Sequence, residues 1–262
     1  MSGTGHAPAK PGTGRAAAAI VAIAIGAAGP IIALAEDGGT AEPRRLSFSA
    51  SAYLWASGLQ GTQSLFGLPS TSVDVKFSDI FDKVDMAAAG IVEVRSSGRL
   101  GFLGEMNYVK LSADARGPGG VLAGAMDSKA FFALAAGTWR VADEDWGNVD
   151  LIGGAKYFRF DNAITLSPGP VSAADAQSWV DATVGAKAAF PISEKWKLLT
   201  WAMIGGGGSD MSWDALAALD YRINDKWSAS FGYRAMGVDY SSSGFSYDMI
   251  QSGPIIGITS RF

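Results

Sequence analysis

The sequence predicts an all-β fold, a transmembrane antiparallel up-and-down β-barrel of about ten strands, with eight to twelve as the range. Three observations predict it. Apolar and polar residues alternate with a period of two through most of the chain. Tight connections alternate with longer ones, and aromatic residues mark the strand ends, down to the last residue, Phe262.

Composition narrows the field first. Of 262 residues, 48% are hydrophobic and 18% charged, with 34 glycines, which is neither a disordered nor a solvating composition. There are no cysteines. That excludes disulfides, thiolate nucleophiles, cysteine zinc sites and lipoprotein acylation.

At the N-terminus, Lys10 and Arg15 precede an apolar run from Ala16 to Ala35, closed by Ala33-Leu34-Ala35 ahead of Glu36-Asp37. This order of basic, apolar and small residues predicts a cleaved signal peptide over residues 1–35. The alternative is an uncleaved membrane helix, which needs roughly 20 apolar residues; against it, the run is rich in alanine and broken by Gly29-Pro30. Cleavage removes two basic residues and no acidic ones, leaving 19 basic against 25 acidic. That balance offers no electrostatic footprint for nucleic acid.

Residues 36–45 read as a flexible lead-in, and 46–262 as the barrel. From Leu46, the residues Leu46, Phe48, Ala50, Ala52 and Leu54 share one face, against Ser47, Ser49, Ser51, Tyr53 and Trp55. The pattern returns in Met86–Arg95, where Glu93 and Arg95 oppose Val92 and Val94, and in Arg99–Leu111, where Glu105 and Asn107 oppose Phe102 and Met106. Ser128–Val141 and Val149–Phe160 follow. In Trp179–Phe190 an apolar face from Val180 to Phe190 opposes Asp181 and Lys187. Lys195–Ile204, Trp213–Arg222, Trp227–Tyr240 and Tyr247–Phe262 bring the count to ten, each long enough for a tilted crossing of about 9–11 residues. Leu59 to Val84 is the first long loop, unless Val73–Phe77 spans and shifts the count.

A soluble sandwich alternates too, with its apolar face toward a core. Three features favour a membrane barrel, in which the apolar face meets lipid. Connections at Ser96–Gly98, Asp143–Gly147, Ile192–Glu194 and Ile223–Asp225 are tight, whereas Ser112–Ala125, Asp161–Gln177, Gly205–Asp210 and Ser241–Phe245 are longer and rich in small polar residues. Trp196 and Trp227 follow short turns in similar contexts, Ile192-Ser193-Glu194-Lys195 and Ile223-Asn224-Asp225-Lys226, while Trp179 and Trp213 follow long ones. All four are expected at the two interfacial girdles. The last strand ends on Phe262, which suits a lipid-facing strand end better than a fraying terminus.

Tyr53-Leu54-Trp55 with Gly58 and Gly61, Gly232-Tyr233-Arg234 with Val238-Asp239-Tyr240, and Gly253-Pro254 with Gly257 and Arg261-Phe262 resemble a largely uncharacterised family of small, porin-like outer-membrane β-barrel proteins of Gram-negative bacteria. The resemblance implies localisation in the cell outer membrane, among its lipids and lipopolysaccharide. It also implies that Phe262 and its strand are a signal read by the barrel-assembly machinery. It brings no assigned active site.

Chemistry is constrained by what the mature chain would lack. The single histidine, His6, lies in the segment expected to be removed. Histidine-dependent hydrolysis and histidine metal or haem sites are therefore not expected, and no cofactor or metal site is assigned. Carboxylate-only chemistry survives in principle, without supporting spacing. Gly205–Gly208 lacks the Gly-Lys-Ser/Thr of a phosphate loop and reads as a turn; Asp143-Glu144-Asp145 lacks the rest of a calcium loop.

The remaining candidates are charges on the polar face, namely Glu93, Arg95, Glu105, Lys129, Lys156, Asp181, Lys187, Asp220, Arg222 and Arg234. In so narrow a barrel they are expected to face the lumen and pair across it, because an unpaired buried charge is costly. The expected function is a non-enzymatic structural or surface component with a salt-bridged lumen. The alternatives are a narrow channel for small polar solutes, an enzyme acting on envelope lipid or peptide, and a binding surface made by the loops.

Overall fold

The computed structural model describes residues 19–20, 46–65, 67–116, 123–167 and 171–262. His6, the lead-in 36–45 and the expected signal segment, apart from a two-residue pairing of Ala19–Ile20 (β1) with Met86–Ala87, lie outside the described residues.

Ten strands close into an antiparallel transmembrane barrel: β2 (Leu46–Trp55), β5 (Val84–Ser96), β6 (Leu100–Arg116), β7 (Ala123–Glu144), β8 (Gly147–Ser167), β9 (Val171–Pro191), β10 (Trp196–Gly206), β11 (Met211–Arg222), β12 (Trp227–Ser242) and β13 (Phe245–Arg261). Neighbours in sequence pair in order from β5 to β13. The ring shuts through β2, which pairs with β13 from Trp55↔Ile255 to Ser49↔Arg261 and with β5 from Leu46↔Ser96 to Ala52↔Gly90.

The stretch after Trp55 is not a plain loop. β3 (Gly58–Ser64) continues along β13, and β4 (Thr71–Val75) pairs with β3, so this hairpin stands outside the ring. A short helix, α1 (Phe77–Ile80), and a 3-10 turn (Phe81–Lys83) lead into β5. Val73 to Val75 thus belong to an extramembrane hairpin, and the ring keeps ten strands.

Three of the expected long loops are shorter than their composition suggested. Most of Ser112–Ala125 and Asp161–Gln177 is strand, because β6 to β9 run on in register to Arg116↔Ala123 and Leu166↔Val171. Likewise β12 and β13 pair as far as Ser242↔Phe245. Small polar residues do not end a strand whose neighbours keep supplying ladder partners.

Alternation then sorts the faces. On β7 the even residues Phe132, Leu134, Ala136 and Thr138 are buried, while Trp139 and Val141 are exposed. On β9 Asp181 is 0% exposed and Val184 is 58% exposed. An apolar side chain that open and a carboxylate that closed, three residues apart, is the inverse of a soluble sheet.

From Trp139 to Phe131, the outer positions of β7 carry no charge. The eight steps between those two residues cover about 27 Å of strand, or roughly 21 Å along the axis after the usual tilt, close to the ~25 Å apolar band of such barrels. Aromatic pairs bound the band. Phe131 lies 6.1 Å from Tyr157 at one level, and Trp146 6.0 Å from Phe190 and Trp196 4.8 Å from Tyr221 at the other.

Tight curvature demands small residues at inward positions. At Gly232 an added Cβ would lie 2.2 Å from the Ala217 carbonyl oxygen and 2.5 Å from Ala218 Cα. No side chain fits so close an approach of neighbouring backbones.

Candidate functional site in the barrel lumen

The lumen is built in three levels. At mid-height four charges meet. Arg234, 0% exposed, donates through Nε and Nη2 to Asp214 (3.0 and 2.6 Å) and through both Nη atoms to Glu105. Lys156 Nζ donates to Asp214 Oδ2 at 2.6 Å. Tyr53 Oη donates to Glu105 Oε1 at 2.5 Å, and Trp201 Nε1 donates to Asp214 Oδ1 at 3.0 Å. The guanidinium carbon lies 5.0 Å from the ring centroids of both Trp55 and Trp201. Two cations and two carboxylates balance, and each buried charge has several partners. That satisfaction is what makes such burial tolerable.

Above this layer, toward the long-loop end, the lumen is filled by aromatic rings. Trp179 stacks on Tyr240 with centroids 3.8 Å apart, and on Phe158 and Phe160 at 5.2 and 5.6 Å. Tyr247 lies 4.6 Å from Phe160. Below, toward the short-turn end, a cavity of about 370 Å³ carries the remaining ion pairs.

Of the ten candidate charges, Glu93, Arg95, Glu105, Lys156, Asp181, Lys187, Asp220 and Arg234 point inward. Glu105, Lys156 and Arg234 meet in the central layer; Arg95 meets Asp150 at 2.6 Å, and Lys187 meets Glu93. Asp220 lies 3.4 Å from both Lys197 and Arg261.

Asp181 departs from the expected ion pairing. It accepts from Gly208 N (3.2 Å), Ser209 N (2.7 Å), Ser209 Oγ (2.7 Å) and Ser212 Oγ (2.7 Å). This carboxylate is satisfied by amides and hydroxyls, and it pins the Gly207–Asp210 turn onto β9.

Three assignments need correction. Lys129 is exposed on the outer face beyond the apolar band, because β7 turns its even-numbered side chains inward. Arg222 has the inward parity of Asp220 but sits at the short-turn rim, exposed, donating to the Glu194 carbonyl. Trp179 is no girdle residue; it is 6% exposed inside the aromatic fill, because it shares parity with Asp181. Trp196, Trp213 and Trp227 lie on the outer face, the first and last near short turns. Phe262 is 54% exposed, its ring 5.6 Å from Phe48.

The candidate charges omit Asp150, Asp214, Arg140, Lys197 and Arg261, all of which face the lumen. Their signal was parity. Asp214 lies six residues before Asp220, and Arg140 lies two after the buried Thr138. The aromatic fill carries a misleading signal, since inward rings look like lipid-facing ones until their strand's parity is settled.

Outside the apolar band, electrostatics follow local partners. A register shift between Val84 and Met86 turns Asp85 outward. There Lys110, donating at 2.9 Å, and Ser112 hold its carboxyl below the ordinary range. Asp239 faces Asp248 directly across β12 and β13. Partial desolvation, then Asp248 and Asp210, raise its carboxyl above the ordinary value. Among the described residues, no group of three or more acids or histidines is arranged to hold a metal ion.

No family model and no curated protein matches the sequence. Among solved structures, the chain is similar to the outer membrane protease OmpT of Escherichia coli. The two share 8% identity over 83% of this chain and 97% of that one, with a TM-score of 0.55. It is also similar to the translocator domain of the autotransporter NalP from Neisseria meningitidis, at 15% identity over 83% of this chain and 88% of that one, with a TM-score of 0.50. The fold is that of an outer-membrane β-barrel. Identities this low carry the likeness of fold and no likeness of activity.

Proposed function

We propose that this chain is a non-enzymatic structural or surface component of the outer membrane whose lumen is closed to solutes. The observation that carries the reading is the mid-height layer of Arg234, Glu105, Asp214 and Lys156, fully buried and mutually satisfied, with stacked rings directly above it. A solute would have to break buried charge pairs and then part an aromatic stack, and losing one partner of such a pair costs about 3–5 kcal/mol. In planar bilayers the purified protein is expected to stay silent. Discrete conductance steps from the unaltered barrel would overturn closure in favour of a small-solute channel.

The same reading places the chain in the outer membrane after removal of residues 1–35, with Phe262 as its assembly signal and lipid and lipopolysaccharide around its apolar band. The exposed ring of Phe262 on the outer rim supports this role. Phe262→Ala is expected to lower the yield of heat-modifiable barrel in cells, and an unchanged yield would remove the signal. Turnover of lipid A or peptide panels, abolished by changing a lumen carboxylate, would overturn the non-enzymatic assignment.

A further inference from the structure

Beneath the central layer, the cavity of about 370 Å³ opens toward the short-turn end and is roofed by Tyr53, Trp201 and Arg234. Its charges do not balance. Asp150 is shared by Arg95 and Arg140, which donate at 2.6 and 2.5 Å. Asp220 is shared by Lys197 and Arg261, both at 3.4 Å. Lys187 pairs with Glu93. Among the described residues, the lining side chains below Arg234 therefore hold five cations against three carboxylates; Asp143 at the rim gives Arg140 a second carboxylate at 2.9 Å, so the unbalanced charge lies with Lys197 and Arg261 around Asp220.

One cation also has an unspent donor. Arg95 Nη2 is engaged by Asp150, but Nη1 is buried with no acceptor among the described residues. A charged donor of this kind is free to take an acceptor from a ligand, and an anionic acceptor makes the stronger bond. Elsewhere the wall of the cavity is mixed, with an apolar stretch through Ile91, Leu199 and Leu216 beside hydroxyls such as Ser49, Ser51 and Thr259. A pocket of this volume with a few convergent polar groups matches ordinary small-molecule sites.

We propose that the short-turn half of the lumen is a binding cup for a small organic anion, a carboxylate or phosphate carried on a compact apolar body. The anionic group meets the free Nη1 of Arg95 and the surplus cations Lys197 and Arg261 that share Asp220, and the body lies against Leu199, Leu216 and the Trp201 ring. The cup rests on the mid-lumen closure for its roof, while its anion contacts come from the wall below.

The test is titration of the full-length protein in nonionic-detergent micelles or nanodiscs, followed by calorimetry and by tryptophan fluorescence. The probes are phenyl phosphate, benzoate, inorganic phosphate and phenyltrimethylammonium. Saturable binding of phenyl phosphate or benzoate is expected, weakened about tenfold or more in Arg95→Gln and unchanged in Lys129→Gln on the outer face. Which of the two anions binds tighter decides between phosphate and carboxylate. No saturation by either, equal binding of phenyltrimethylammonium, or an unaffected Arg95→Gln would overturn the proposal. Inorganic phosphate binding as tightly as phenyl phosphate would overturn the apolar body. If Arg95→Gln fails to give a heat-modifiable barrel, Lys197→Gln is read in its place, with weakening expected and no change refuting. Conductance separates the two readings: a conducting barrel that still binds these anions refutes closure alone, and a silent barrel that binds none refutes the cup alone.

Discussion

Replacing Arg234 with methionine removes the hub of the central layer while keeping most of its volume. Its two carboxylate partners would not suffer equally. Asp214 would keep Lys156 at 2.6 Å and Trp201 Nε1 at 3.0 Å, whereas Glu105 would keep only the Tyr53 hydroxyl. Glu105 is 5% exposed and would become a buried carboxylate without a cation. Breaking a buried pair in this way costs about 3–5 kcal/mol, mostly the desolvation of the abandoned partner. Adding Glu105→Gln to Arg234→Met should therefore restore about 1–3 kcal/mol, since a neutral amide is far cheaper to bury. Urea unfolding of the refolded barrel, followed by gel mobility before and after boiling, measures both variants. A loss below about 1 kcal/mol for Arg234→Met, or a double variant weaker by the sum of the two singles, would refute the claim that burial and mutual neutralisation hold this layer together.

Three further perturbations probe other levels of the barrel. Val184→Asp, on the outer face, should destabilise by about 2 kcal/mol or less and Val184→Arg by about 2–4; harmless variants in lipid refolding would place that face away from hydrocarbon. Gly232→Val should cost about 1–3 kcal/mol or block closure, because its first side-chain atom meets the Ala217 carbonyl oxygen at 2.2 Å; wild-type refolding yield would contradict that crowding. Asp239 carries a raised carboxyl pKa, so the folded state holds its proton more firmly than the unfolded one. Its contribution to stability is therefore fully present below the ordinary aspartate value near ~4 and is lost as pH rises through the raised one. Asp248→Asn should flatten that fall and stabilise the neutral-pH protein by about 0.2–1 kcal/mol; identical pH profiles for the two proteins would refute the cross-strand repulsion.

The fold was legible because a membrane barrel repeats one physical constraint in every strand. Val180, Ala182 and Val184 against Asp181, or Phe231 and Tyr233 against Arg234, carry the inside-out pattern in the residues themselves, and the strand count followed from the tight turns. Loop length was less legible. Stretches of small and polar residues such as 112–116 have poor strand propensity, yet they pair because β7, itself paired with β8, extends alongside them. Trp179 shows where residue type misled. An indole at a strand end suits an interface by chemistry, but it lies two residues from Asp181 and so must share its side of the wall. Parity outranks preference there, since a one-residue slip would turn every side chain of β9 over. The partners of each charge were not legible at all. Arg234 meets Glu105 across 129 residues of sequence, a distance that no local pattern encodes.

The division of charge along the lumen follows from where water can reach. In the central layer Arg234, Glu105, Asp214 and Lys156 are all at most 5% exposed and sum to zero, because any excess there would have no solvent to screen it. In the lower cavity the side chains of Arg95, Lys197 and Arg261 retain 23%, 37% and 32% exposure, and there a surplus of cations is tolerated. A neutral layer serves closure and a cationic one serves capture, so the two halves make opposite demands on a new charge. A carboxylate added at Leu216, on the lower wall, should be accommodated and should weaken anion binding. The same change at Met236, 4% exposed beside Lys156, should unfold the barrel. If Leu216→Glu proved as damaging as Met236→Glu, the lower cavity would be as closed to water as the layer above it, and its surplus charge would need another explanation.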